Sequence, residues 1–158
     1  MPRALRPLAL LVLAAAFAAC DSAAPPPQQP AAVAVGATYD ASTFAMRDAE
    51  TAAVVFDYLD AGAVLAIEFV DSSRFEFTFQ LSESVLIASG ETEDLDGDID
   101  EVLTGTYTQT DGTLTFELDT PGERFILDGG WAIDADGGAI RYQDEEDGLV
   151  IDVVLTRG

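Results

Sequence analysis

The sequence predicts an all-β fold, a small antiparallel up-and-down barrel of about eight or nine strands in residues 36–158. Apolar and polar residues alternate with a period of two in several short runs, which buries one face of each run and leaves the other in water. Turn-forming residues separate these runs at hairpin spacing, and sequential strands joined by tight turns form a meander. A meander with one apolar face must close on itself or be covered.

The predicted strands are defined by their inward-facing apolar positions. The clearest run has phenylalanine at every second residue, with Glu76, Thr78 and Gln80 between. This spacing places all the rings on one face of a strand. The inward sets along the chain are Leu65/Ile67/Phe69, Phe75/Phe77/Phe79/Leu81, Leu103/Gly105/Tyr107, Leu114/Phe116/Leu118 and Leu149/Ile151/Val153/Leu155.

The stretch from Thr43 to Leu59 supports two interpretations. It is either a helix capped by Ser42 or Thr43, or a strand from about residue 53, where Val54, Phe56 and Tyr58 alternate. We favour the strand, because alternating β-branched and aromatic residues suit a pleated surface.

The predicted turns combine aspartate with glycine or serine. Glycine adopts the positive φ that tight hairpin turns require, and aspartate tolerates it. The turns fall at Asp60-Ala61-Gly62, Asp71-Ser72-Ser73, Asp111-Gly112, Pro121-Gly122, Asp128-Gly129-Gly130, Asp136-Gly137-Gly138 and Asp147-Gly148.

Residues 1–19 have the pattern of a signal peptide. Arg3 and Arg6 precede an apolar segment from Leu8 to Phe17, which is too short to span a bilayer core of about 30 Å. The following Phe17-Ala18-Ala19-Cys20 resembles the lipobox of bacterial lipoproteins, with Phe17 where an aliphatic residue is usual. The resemblance implies cleavage before Cys20 and attachment to its sulfur of a diacylglyceryl group, which carries two fatty acyl chains such as palmitate. The alternative is ordinary cleavage after Ala18, which leaves a secreted protein with a free thiol.

Residues 20–35 are predicted to be a tether that begins at the lipidated cysteine. Pro25, Pro26, Pro27 and Pro30 lie in an Ala- and Gln-containing stretch, and such sequences are extended and semi-rigid. Two acyl chains at Cys20 provide stable membrane anchoring. We therefore expect a lipid-anchored protein of the bacterial cell envelope, on the inner or the outer membrane.

Two segments of the predicted barrel resemble lipocalin-like domains of bacterial lipoproteins. Gly105-Thr106-Tyr107 with Asp111-Gly112-Thr113-Leu114-Thr115-Phe116 is similar to their central hairpin, and residues 153–157 resemble their closing strand. The resemblance implies a lipocalin-like β-barrel. The Gly-x-Trp motif of true lipocalins is absent, since Ala37, Thr38 and Tyr39 follow Gly36, so ligand transport does not follow from the resemblance.

The composition excludes several functions. The chain has 29 Asp and Glu against seven Arg, with no His and no Lys, for a net charge of -22. The negative field repels nucleic acid, and suits either a salt-rich habitat or simply an acidic, soluble envelope protein. Without His or Lys there is no Ser-His-Asp or Cys-His machinery, no imidazole metal ligand, no Schiff base and no P-loop. We expect a non-enzymatic protein.

An acidic run is the candidate cation site. Asp94, Asp96, Asp98 and Asp100 alternate around Gly97, and Ca²⁺ accepts six to eight oxygen ligands in irregular geometry. The alternative is a solvated acidic loop. Calcium is the one cofactor that the sequence suggests.

The aromatic residues of the predicted strands are the candidate ligand site. In one hypothesis they line a cavity that binds a small apolar ligand, as in lipocalin barrels. In the other the side chains fill the barrel, which then acts as a structural or protein-interaction module of the envelope. The candidate cavity residues are Phe75, Phe77, Phe79, Tyr107, Phe116 and Trp131.

Overall fold

A computed structural model describes residues 31–90, 97–120, 126–127 and 129–158. The predicted signal peptide, Cys20 and residues 20–30 of the predicted tether lie outside the described residues. The elements are β1 (Thr38–Asp48), β2 (Val54–Asp57), β3 (Val64–Phe69), β4 (Arg74–Leu81), α1 (Glu83–Ser89), β5 (Ile99–Thr110), β6 (Thr113–Leu118), β7 (Trp131–Ile133), β8 (Ala139–Glu146) and β9 (Leu149–Arg157).

Eight of the nine strands form a closed antiparallel barrel. From β3 to β9 each strand pairs with the next along the chain, and β1 closes the ring by pairing with both β3 and β9. The extra strand, β2, pairs with β1. The architecture confirms the predicted all-β barrel of eight or nine strands and fits a lipocalin-like barrel.

The register places the predicted apolar positions in the interior. Phe77 on β4 lies opposite Ile67 on β3 and Leu103 on β5, and the first two side chains are almost fully buried. The same alternation on β9 buries Val153 and Leu155, but the prediction is wrong for Leu149, which lies at the β8–β9 turn and is exposed. Period-two patterning therefore predicted which face of these strands is inside.

The first strand contains a bulge that the alternation did not predict. Pairing of β1 with β9 shifts between Ala41 and Thr43, so that Tyr39 precedes the shift and Phe44 follows it, yet both are buried. One extra residue in a strand reverses the parity of its inward positions. The helix considered for residues 43–59 is wrong, because this stretch contains the second half of β1 and all of β2.

Two hairpin turns show the backbone conformation that the sequence predicted. Asp111 and Gly112 have φ values of 51° and 80°, and Asp147 and Gly148 have values of 52° and 79°. Positive φ at both central residues defines the type I′ turn, whose twist matches that of the strands it joins.

The two ends of the barrel are different. Residues 31–37, which we call the strap, lie beside the start of β1, where Gly36 donates its N–H to the carbonyl of Phe69 at 2.6 Å. We call this end of the barrel the strap end. The opposite end, the helix end, contains α1 between β4 and β5, and also the turns β1–β2 and β8–β9. The core of buried side chains lies between these two ends.

Candidate functional site

The six aromatic side chains predicted to line a cavity all face the barrel interior. Trp131, Phe75 and Phe77 are at most 1% exposed, and Phe79 and Tyr107 are also buried. Phe116 is half-buried and packs against the core. The structure therefore gathers every one of these predicted residues inside the barrel.

Four of the six belong to a connected group of rings that extends from the strap end. The centroid of the Phe116 ring lies 4.8 Å from Phe75, 6.1 Å from Trp131 and 6.5 Å from Phe69. Phe69 in turn meets the ring of Tyr107 edge-on at 4.8 Å. These are the separations of rings in direct contact, so these side chains pack on one another.

The other two belong to a second group toward the helix end. Phe77 and Phe79 lie 6.1 Å apart, and Phe79 is 6.2 Å from Phe44. Phe44 is stacked on Tyr58 with a centroid separation of 4.3 Å. The prediction did not include Phe44, because the bulge in β1 breaks the alternation that would have placed this side chain on the inward face.

The polar atoms of two interior rings, Trp131 and Tyr107, are bound to the backbone. The indole N–H of Trp131 donates to the carbonyl of Ile126 at 2.9 Å, and the hydroxyl of Tyr107 donates to that of Asp71 at 2.9 Å. Burial, together with the nearby Asp71 carboxylate, raises the pKa of Tyr107. Within the described residues no buried side-chain nitrogen or oxygen lacks a partner. A ligand among these described residues would meet ring faces and no unpartnered buried side-chain nitrogen or oxygen that could orient it.

Gln109 fixes the strap across its end of the barrel. Its side-chain oxygen accepts the N–H of Val33 at 3.3 Å, and its side-chain nitrogen donates to the carbonyl of Ala31. The Val33 side chain is buried as part of the core. The last residues of the predicted tether, 31–35, thus include an apolar side chain that covers the interior.

Tyr39 makes the second attachment of the strap. Its hydroxyl accepts the N–H of Ala34 at 3.1 Å and donates to the carbonyl of Gly137 at 2.7 Å. Gly137 has a φ of 69°, and a Cβ there would collide with the carbonyl of Ala32. One buried hydroxyl therefore joins the strap to the turn between β7 and β8.

The short helix α1 covers the opposite end. Val85 and Leu86 on its inner face are buried with the core. Gly90 ends the helix in the left-handed conformation, with a φ of 92°. Ile126 and Leu127, from the connection between β6 and β7, are also buried. Apolar side chains therefore cover both ends of the barrel.

The acidic run is only partly within the described residues. Asp94 and Asp96 lie outside them. Asp98 accepts the backbone N–H of Glu83 at 2.8 Å, and Asp100 accepts the side-chain amide of Gln80 at 2.9 Å. Among the described residues no group of three or more His, Cys, Asp or Glu side chains is suitably placed for a metal ion. Calcium binding at residues 94–100 stays a prediction.

Several aspartates stabilise turns. Asp48 accepts bonds from the hydroxyl and N–H of Thr51, and these bonds lower its pKa. The N–H of Ser73 is the largest influence that lowers the pKa of Asp71. Asp134 is held in its charged form chiefly by the N–H of Ala139. These carboxylates replace missing backbone partners at strand ends.

Arg74 and Asp119 form a bidentate ion pair on the barrel wall. The two guanidinium nitrogens lie 3.1 and 2.6 Å from the two carboxylate oxygens. This pairing is the main reason that the pKa of Asp119 is low, and the Thr104 hydroxyl lowers it further. Since both side chains are largely exposed, the pair adds little to stability.

Sequence reasoning missed Tyr39 and Gln109, the two residues that hold the strap. Gln109 had a detectable signal, because it continues the inward phase of Leu103, Gly105 and Tyr107 with a polar residue. A polar side chain at an inward position needs a partner, and here the partner is the strap backbone.

These observations define the class of protein as a closed eight-stranded antiparallel β-barrel with one extra strand and with aromatic side chains buried in its interior. No family model, curated protein or solved structure matches this sequence. Within the part of the chain that the structure describes, no helix has the length and apolar character needed to cross a membrane.

Proposed function

We propose that this chain is an exported, lipid-anchored protein of the bacterial cell envelope. In this proposal the lipocalin-like barrel is a non-catalytic structural or protein-interaction module. The module would bind other proteins of the envelope through its outer surface and its rims, while the side chains in its interior stabilise the fold.

The continuous packing of the interior supports a filled barrel over a ligand cavity. Ring contacts run from the strap end through Phe116 to Trp131, and a second group fills the space toward α1. A lipocalin ligand enters through one open end, whereas here the strap covers one end and α1 the other. These contacts favour the interaction module over the carrier of a small apolar ligand.

The proposed delivery is supported by the sequence before the strap. The apolar segment, the lipobox-like residues and Cys20 precede the residue at which the described chain begins to pack on the barrel. Expressed in a bacterial host, the chain should incorporate labelled palmitate and partition with membranes. Cys20→Ser should lose the label, and a variant that kept both the label and the wild-type fractionation would contradict the lipid anchor.

Native mass spectrometry of the purified chain tests the filled interior. We expect the mass of the protein with its lipid and no additional small molecule. A co-purified apolar compound that is lost on Phe116→Trp, a change that enlarges an interior ring, would assign the barrel to ligand binding instead.

A further inference from the structure

The strand β2 is outside the closed barrel. It pairs with β1 along one edge, through Ala45 with Asp57, Met46 with Phe56 and Arg47 with Val54. No second strand pairs with β2 among the described residues. Its outer edge therefore presents backbone N–H and C=O groups of the kind that accept an additional strand.

Two adjacent valines on β2 are exposed. Val54 is 50% and Val55 54% exposed, although neighbouring residues of a strand point to opposite faces. The pairing with β1 shifts at this point and leaves Val55 as the extra residue of a bulge. The start of β2 thus presents apolar surface on both faces beside its open backbone edge.

The surface around β2 is strongly acidic. The N–H of Ala49 donates to the carbonyl of Gly148 at 2.9 Å, which places the β1–β2 and β8–β9 turns side by side. Residues 47–60 and 143–150 together contain eight Asp and Glu and one basic residue, Arg47. Arg47 is already engaged by Asp152 at 2.9 Å. The negative charge around the edge is therefore uncompensated locally.

This charge selects the occupant of the edge. A second copy of the chain would bring the same carboxylates against these, and like charges across an interface oppose association. A segment that alternates apolar and basic residues would place its apolar side chains near Val54 and Val55 and its cations near the rim. Charge complementarity thus favours a basic partner.

The edge is also remote from the point where the chain enters the barrel. The strap adjoins Thr38 at the start of β1, while Val54 pairs with Arg47. Nine residues of strand span about 30 Å. In a protein anchored at Cys20, β2 belongs to the end away from the anchor.

We infer that the outer edge of β2 is a docking site for an extended basic segment of a partner protein, which joins the sheet as an additional strand. This inference rests on the proposed function, because it names the partner class of the interaction module.

The probe is a short synthetic peptide of alternating valine and arginine, with an isomer that groups the same residues into two blocks. Fluorescence anisotropy measures the binding of each to the full chain in a nonionic detergent. We expect the alternating peptide to bind about tenfold more tightly than the block isomer, because only the alternating one presents one face to the valines and another to the rim. Its binding should weaken as salt screens the carboxylates. Hydrogen exchange should show new protection of the amides of residues 54–57.

A matched pair of variants separates the edge from general charge attraction. Val55→Lys introduces a cation on β2, and Val70→Lys introduces the same charge at an equally exposed valine (52%) at the strap end. The first should weaken binding about tenfold, and the second by no more than about twofold. Equal losses in both variants, equal binding of the two peptides, or unchanged exchange at residues 54–57 would overturn the proposal. If the chain self-associates and Val55→Lys abolishes this self-association, the edge binds a second copy of the chain, and this result would also overturn the proposal.

The two proposals fail in distinguishable ways. A ligand found in the interior contradicts the proposed filled barrel, whether or not the peptides bind to β2. A peptide that does not bind β2, with no interior ligand and with palmitate at Cys20, contradicts the docking edge alone.

Discussion

The attachment of the strap gives the sharpest prediction for stability. Tyr39 is fully buried, and its hydroxyl joins Ala34 to Gly137. Tyr39→Phe keeps the ring and removes both hydrogen bonds. A hydrogen bond contributes about 1 kcal/mol net, and a buried group left without a partner costs about 1–3 kcal/mol. Because Ala34 is only partly buried, its N–H regains water when the strap frays, while the buried carbonyl of Gly137 does not. We therefore expect a loss of about 2 kcal/mol.

Urea unfolding of the full chain measures this loss. With a slope of about 2 kcal/mol per molar urea, the midpoint should fall by about 1 M. Tyr107→Phe is the matched control, since it removes a single hydroxyl bond to the carbonyl of Asp71 and should cost about 1 kcal/mol.

Hydrogen exchange locates the effect. Amides of the strap should exchange faster in Tyr39→Phe and at the wild-type rate in Tyr107→Phe. If Tyr39→Phe costs no more than the control, or if exchange in residues 31–37 is unchanged, this hydroxyl does not hold the strap over that end of the barrel.

Four further predictions concern the core, salt, pH and calcium. Phe77→Ala should destabilise the chain by about 3–5 kcal/mol, as is usual for a buried ring, and a loss below about 1 kcal/mol in urea unfolding would mean that the ring faces water. The melting temperature should rise with monovalent salt until screening of the net charge of -22 saturates, and a flat profile would show that the charges are compensated locally. The turn aspartates have lowered pKa values in the folded state. Their contribution to the free energy of unfolding is therefore present above the unfolded pKa of 3.8 and is lost as the pH falls through the lower pKa values of the folded state. Urea midpoints that keep rising below pH 3.8 would contradict this sign. Millimolar Ca²⁺ should stabilise the chain by up to about 2.7 kcal/mol at a hundredfold excess over the dissociation constant, and Mg²⁺ much less. That response should be lost in Asp96→Asn with Asp100→Asn but kept in Asp144→Asn with Asp147→Asn, and equal loss in both would mean diffuse screening.

The period-two patterning was a reliable guide wherever a strand was regular. On β4 and β6, and on β9 from Ile151 onward, the apolar residues that the sequence places on one face are the ones that point inward, whereas Leu149 at the start of β9 is exposed. The reason is local, because the alternation of side chains along a strand depends on the backbone alone. The type I′ turns at Asp111-Gly112 and Asp147-Gly148 were predictable on the same ground.

The prediction failed where the register depends on neighbouring strands. The bulge in β1 reverses the inward phase between Tyr39 and Phe44, so no single alternation runs along the strand and the sequence does not distinguish it from a helix. The helix α1 has only seven residues, too few for a helical period to be visible in the sequence. The N–H of Glu83 in its first turn donates to the carboxylate of Asp98, which is 15 residues further along the chain.

Local patterning and composition are enough to predict a β-barrel with aromatic side chains inside and an acidic exterior. The closure of one end by the strap and the unpaired edge of β2 could not be predicted in this way, because they depend on contacts between residues far apart in the chain. The bonds that hold the strap join residues 76 and 98 positions apart. The outer edge of β2 is open because β2 and β3 share one edge of β1, β9 occupies the other edge, and no further described strand pairs with β2. Both outcomes depend on which distant residues meet when the barrel closes, and that information is absent from any short stretch of the chain.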